Sequence, residues 1–310
     1  MKLGFTTGDK SVFQAFFDGN KKLGIVCCAG GVRNSFLAGA QIYLRQKRRR
    51  FNQSVARIGV SSGYATSAYY QGGSKATDAR VFSEDMTDKR LFDLRRRFIG
   101  RYPFSVDFVD QVFRQGLTGR AINASGVIRN PTRLYGVLAD PTTGNAWSEL
   151  PTTENEVWDL ACIATAVTGF ARPATFRGRS VTDAFASDLQ LPVQELIRLE
   201  PEITDVLVFA ATHYDEDPKA APWSESILYK TGFAQASKSM QDLIRTRNLR
   251  FMDVANRVIN PSEVGNVRVC IVWLPRPHHP IFISAEASRA LIREGYNTIK
   301  ELLEAVGCDT

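Results

Sequence analysis

An α/β chain, with a mostly parallel sheet held between two layers of helices as a three-layer α/β/α sandwich, is the fold class this sequence predicts. Three observations carry that prediction. Short apolar runs alternate with stretches of helical periodicity from residue 23 onward. Two of the early runs lead directly into small-residue turns that open a helix: Ala29-Gly30-Gly31-Val32-Arg33-Asn34 and Gly59-Val60-Ser61-Ser62-Gly63. Two later runs, Val206-Leu207-Val208-Phe209-Ala210 and residues 267–273, are almost continuously apolar, as strands covered on both faces are. A chain of 310 residues buries a large core without disulfide or metal staples. With no internal repeat and no low-complexity linker, residues 1–310 read as one domain.

Taken in order, residues 23–28 combine β-branched residues and cysteine and read as a buried strand ending at the glycine turn. Phe36, Leu37, Ala40, Tyr43 and Leu44 then recur on one helical face across residues 34–45. Val55-Ala56-Arg57-Ile58 forms the second strand, and residues 64–70 start the next helix. A polar, basic helical stretch is expected over about residues 74–115. A strand at 134–138, the turn Asp140-Pro141-Thr142-Thr143-Gly144 and a returning strand at 145–150 come next. Residues 154–168 carry a helix pattern. Helix is expected between the two interior strands, at about 224–258, and a final helix, capped by the Ser284 hydroxyl, runs to about residue 305.

Composition narrows the classes. A chain 44% hydrophobic and 23% charged is globular, not disordered. Its longest apolar runs fall far short of the ~20 residues that span a bilayer, and Met1 to Asp9 lacks the apolar core of a secretory leader. The five cysteines, Cys27, Cys28, Cys162, Cys270 and Cys308, form no C-x-x-C pair and mostly lie in apolar segments. They read as reduced, buried residues of a cytoplasmic protein. The net charge of +7 is clustered in Arg45-Gln46-Lys47-Arg48-Arg49-Arg50 and in Lys89-Arg90, Arg95-Arg96-Arg97 and Arg101, with Phe92, Phe98 and Tyr102 interleaved. Such clusters are either solvated helix faces or a surface for anionic lipid. Nucleic acid is not the expected partner, because no helix-turn-helix, zinc-finger or RNP pattern accompanies them.

The chemistry centres on Gly59-Val60-Ser61-Ser62-Gly63. A G-x-S-x-G sequence between a strand and a helix makes a nucleophile elbow, a tight turn that pushes the serine Oγ outward while its glycines let backbone pass close by. Such a serine needs donors for a developing oxyanion and a base within hydrogen-bond reach. Gly30, Gly31 and Val32 offer backbone N–H groups at a helix start. A plain tight turn and a dinucleotide loop are the other readings of that segment, and the dinucleotide reading lacks both G-x-G-x-x-G and the later acidic residue. For the base, His213 follows a strand, whereas His278 and His279 lie in the proline-framed loop Arg276-Pro277-His278-His279-Pro280. A carboxylate whose pKa burial has raised is the alternative.

These motifs resemble the patatin-like phospholipase family. Ala29 to Asn34 is similar to that family's G-G-G-x-R-G loop, arginine included, and Gly59 to Gly63 matches its G-x-S-x-G elbow. Val181-Thr182-Asp183-Ala184-Phe185 stands where the family carries Asp-Gly-Gly or Asp-Gly-Ala and keeps the aspartate. Residues 161–173, Leu191-Pro192-Val193 and the strand at 206–210 extend the resemblance, which covers about residues 23–211. The departures are Ala29 and Asn34 in the loop, and Ala184 and Phe185 after the aspartate.

The resemblance implies a serine acyl hydrolase acting on glycerophospholipids or other lipid esters, with no metal or cofactor. Ser61 would be the nucleophile and Asp183 its base. Gly30, Gly31 and Val32 would form the oxyanion hole, and Arg33 would fix the loop or meet a substrate phosphate. The cysteines and the basic clusters add the expectation of a cytoplasmic protein, peripheral at an anionic membrane. The other readings are a catalytically silent membrane-binding module and an esterase with a histidine base.

Overall fold

A computed structural model describes residues 3–5, 22–47, 53–73, 79–117, 119–187, 191–213, 236–258, 266–275 and 284–305. Its strands are β1 (Leu3–Phe5), β2 (Leu23–Cys27), β3 (Ala56–Val60), β4 (Arg133–Ala139), β5 (Ala146–Glu149), β6 (Ala174–Phe176), β7 (Arg179–Asp183), β8 (Asp205–His213) and β9 (Arg268–Leu274). The α-helices are α1 (Asn34–Lys47), α2 (Ser62–Gln71), α3 (Val106–Asp110), α4 (Ala124–Arg129), α5 (Glu154–Thr165), α6 (Val193–Leu199), α7 (Lys238–Val258) and α8 (Ala285–Ala305).

The most apolar runs of the chain lie side by side. Strands β9, β8, β2, β3 and β4 are parallel neighbours, and β1, β5, β7 and β6 add antiparallel pairs toward the two edges. Alternate side chains of each central strand feed two cores. From β2, β8 and β9, the residues Ile25, Cys27, Leu207, Phe209, Cys270 and Val272 pack with Phe36, Leu37 and Leu44 of α1 and Leu291, Ile299 and Leu303 of α8. Their neighbours Val26, Val206, Val208, Val269 and Ile271 pack on the other face with Val193 and Leu196 of α6 and Phe251 and Ala255 of α7. A third cluster joins Leu134 and Leu138 of β4 to α2, α5 and the 79–113 region. The predicted α/β/α layering is the observed one.

Most expected elements fall within a few residues of their predicted places. The Ser284 cap is present as its hydroxyl accepts from the Ala287 N–H at 3.1 Å. The stretch expected to be helical over 74–115 is helical only in short pieces. Among its described residues, 79–115 fold into short π and 3₁₀ turns with α3 between them, because its aromatic residues point inward from several directions and not along one stripe. The antiparallel hairpin β6–β7 and helix α6 went unpredicted from short segments. Residues 224–235, His278, His279, Cys308 and Arg48 to Arg50 lie outside the described residues. Cys27, Cys28, Cys162 and Cys270 are buried free thiols. No helix among the described residues is long and apolar enough to cross a membrane.

Candidate active site

Three segments meet at the carboxyl ends of β2 and β3, where a doubly wound sheet leaves a crevice for ligands. The first is the turn after β3. Ser61 has φ 55° and ψ −138°, a left-handed backbone that a non-glycine residue adopts at a cost of about 1–3 kcal/mol. The flanking glycines make this turn possible. A Cβ on Gly59 would stand 2.4 Å from the Tyr64 Cα, and one on Gly63 would stand 2.3 Å from the Cys27 carbonyl oxygen. The chain therefore turns sharply into α2 directly beneath the end of β2, with Ser61 at the helix N-terminus.

The second segment is β7. The Ser61 Oγ donates a 2.8 Å hydrogen bond to Asp183 Oδ2. The other carboxyl oxygen accepts the Phe185 N–H at 2.9 Å. Asp183 is 1% exposed, and this burial pushes its pKa up to about 8, against the opposing effects of the Ser61 and Phe185 hydrogen bonds. A hydroxyl held on a buried carboxyl group of that basicity can be deprotonated as it attacks an electrophile.

The third segment is the turn after β2. Gly31 has φ 54° and starts a 3₁₀ turn over Gly31–Arg33. Within that turn the Arg33 N–H donates to the Gly30 carbonyl at 3.0 Å, so the Gly31 and Val32 amides head the turn, ahead of its internal bonds. Gly31 and Val32 line a cavity together with Ser61 and Ser62. Gly30 is absent from that lining and sits behind it, where a Cβ would strike the Ala211 Cβ at 2.2 Å. Arg33 is also buried away from the cavity lining and donates to the Ala211 carbonyl at 3.3 Å, so it ties the loop to the end of β8. The structure thus brings Ser61, Asp183, Gly31 and Val32 together and gives Gly30 and Arg33 supporting positions.

The departures from the family pattern have a local account. Among the described residues only Ser61 and Arg177 are non-glycine residues with positive φ, so Ala29, Asn34 and Ala184 occupy backbone that any residue adopts. Asn34 also acts through its side chain, donating from Nδ2 to the Cys28 carbonyl at 3.2 Å and to the Ser62 Oγ at 2.7 Å. This bridge between the two turns was not read from the sequence, where Asn34 figured only as a glycine substitute. His213 ends β8 opposite Leu274, and the Ser61 hydroxyl donates to Asp183.

No family model matches the chain, and no curated protein does. Several solved chains are similar to it, among them the following two. VipD from Legionella pneumophila aligns with a TM-score of 0.44 and 10% identity, over 93% of this chain and 67% of that one. A chain of the SpcU–ExoU complex from the type III secretion system of Pseudomonas aeruginosa aligns with a TM-score of 0.31 and 13% identity, over 92% and 60% of the respective chains.

The cavity beside Ser61 has a volume of about 440 Å³, within the range of about 300–1,000 Å³ usual for ligand pockets. Phe82, Met86, Leu91, Phe92, Phe104 and Phe113 supply the large apolar side chains of its wall, and Asp88 and Lys89 supply charge. None of these wall residues was singled out as a site residue in the sequence, because aromatic positions scattered over an irregular segment show no period. Among the described residues, no group of His, Cys, Asp or Glu side chains is gathered so as to hold a metal ion.

Proposed function

We propose that this protein is a patatin-like serine acyl hydrolase that cleaves carboxylic ester bonds of lipids through Ser61 and Asp183. The observation that carries the reading is the 2.8 Å hydrogen bond from Ser61 Oγ to a buried carboxyl group, made at the edge of an apolar cavity. The cavity wall of phenylalanine, methionine and leucine side chains suits an acyl chain, whose burial is worth about 0.8 kcal/mol per methylene.

In this mechanism Ser61 Oγ attacks the ester carbonyl as its proton passes to Asp183 Oδ2. The tetrahedral oxyanion accepts from the Gly31 and Val32 N–H groups, with the N-terminus of α2 adding positive potential. Collapse breaks the bond to the alcohol, which leaves with the proton from Asp183. Water then attacks the acyl-serine and passes a proton to Asp183, and the fatty acid departs as Ser61 regains its hydrogen. Arg33 and Asn34 hold the first turn against β8 and the elbow, and so keep the donors in register with Ser61.

The test is release of free fatty acid from phosphatidylcholine vesicles by the purified protein. Release well above a buffer blank is expected. Release at the level of the blank, also from lysolipid and monoacylglycerol, would leave the silent-module reading in its place.

A further inference from the structure

Between Phe92 and Phe104, two of the four phenylalanines of the cavity wall, the chain makes an excursion that the catalytic reading does not use. Phe92 and Phe104 are bridged as in an antiparallel pair, and the Asp93 N–H donates to the Pro103 carbonyl at 2.9 Å, closing a neck. Beyond the neck, Leu94–Ile99 form a 3₁₀ turn capped by the Asp93 side chain and ended by Gly100 at φ 71°. Its tip carries Phe98 at 91% exposure and Ile99 at 68%. Two large apolar side chains held in water at the end of a closed neck gain nothing for the fold.

The charges around the tip indicate what covers it. Residues 88–103 hold six cations, Lys89, Arg90, Arg95, Arg96, Arg97 and Arg101, against the two carboxylates of Asp88 and Asp93. Asp88 pairs with Arg90 and Asp93 with Arg95. Arg96 and Arg97 donate instead to backbone carbonyls, of Arg90 and Gly169. Arg97, Gly100, Arg101 and Tyr102 line a shallow depression of about 260 Å³, and the buried Arg97 Nε has no hydrogen-bond partner among the described residues. An apolar tip ringed by surplus arginines matches the layering of an anionic lipid leaflet, in which phosphates lie above acyl chains.

We infer that residues 93–103 form a lipid-docking loop: Phe98 and Ile99 enter the acyl boundary of an anionic membrane while Arg96, Arg97 and Arg101 meet headgroup phosphates. This deepens the acyl-hydrolase reading and rests on it for its purpose. The neck residues Phe92 and Phe104 are themselves cavity wall, so docking holds the cavity beside the leaflet that carries the ester bonds.

The experiment is co-sedimentation of full-length Ser61→Ala protein with vesicles of phosphatidylcholine and phosphatidylserine, so that hydrolysis cannot alter the lipid and the readout is independent of activity. Partition onto these vesicles, weaker in high salt and on pure phosphatidylcholine, is expected. Adding Phe98→Ser and Ile99→Ser should weaken it at least ten-fold with an unchanged melting temperature, because neither side chain packs on the fold. Adding Arg96→Gln and Arg101→Gln should remove the preference for the anionic vesicles. Absence of partition, or partition unchanged by the tip substitutions, overturns the docking loop. Loss of a dimer by sedimentation velocity in the tip variant, with vesicle partition intact, assigns the tip to a second copy of the chain and also overturns it.

Discussion

Ser61→Ala is expected to bring fatty-acid release down to the buffer blank, a loss of ~10⁴–10⁶-fold in kcat, with the chain still folded. The neighbouring hydroxyl cannot take over. Ser62 also lines the cavity, but its Oγ accepts the hydrogen bond from Asn34 Nδ2, and it is Ser61 that donates to the Asp183 carboxyl group. The strained backbone at position 61 is imposed by Gly59, Gly63 and the end of β2 and not by the hydroxyl. Removing one oxygen should therefore leave the elbow standing. Fatty-acid release and the thermal unfolding midpoint, measured on one preparation, separate loss of chemistry from loss of fold.

Asp183→Asn should lower kcat by ~10²–10⁴-fold, the usual worth of a positioned general base. An amide keeps the shape, and its one oxygen can still accept the Phe185 N–H while its NH2 faces the Ser61 Oγ as a donor, but it cannot take up a proton. The pH profile carries the second half of this prediction. Burial raises the Asp183 pKa to about 8, so below that pH the group is chiefly the neutral acid and above it the carboxylate. Only the carboxylate accepts the serine proton. The wild-type kcat/KM should then rise about tenfold per pH unit below ~8 and level off above it. The residual activity of Asp183→Asn should lack that rise. A wild-type profile that is flat between pH 6 and 9 would assign the base elsewhere, with His213 the next residue to replace.

How far the sequence revealed this site depends on how local each signal is. Strand β2, strand β3 and the elbow were legible because each is a run of consecutive residues whose glycines answer contacts at the ends of the same strands. Asp183 was found only by resemblance, since its pairing partner lies 122 positions away and nothing in Thr182-Asp183-Ala184 requires the contact. Asn34 was legible only as a departure from the family's glycine, and the structure gives it a role of its own, a side-chain bridge made from an ordinary right-handed backbone with φ −68°. The cavity wall was the least legible part. Phe82, Phe92, Phe104 and Phe113 share one enclosure because short π and 3₁₀ turns fold 79–115 back on itself. Residue order carries no trace of that folding, and the basic residues nearby read as solvated helix faces or a lipid surface and not as the rim of a cavity.

The most direct test of the central claim is the site of covalent attack. The full-length protein is treated with a fluorophosphonate and the adduct located by peptide mass spectrometry. A polarised Ser61 predicts one adduct, on the peptide that contains residue 61, formed faster above pH 8, absent from Ser61→Ala and much slower in Asp183→Asn. An adduct on another residue, or labelling that persists at full rate in Ser61→Ala, would contradict the account.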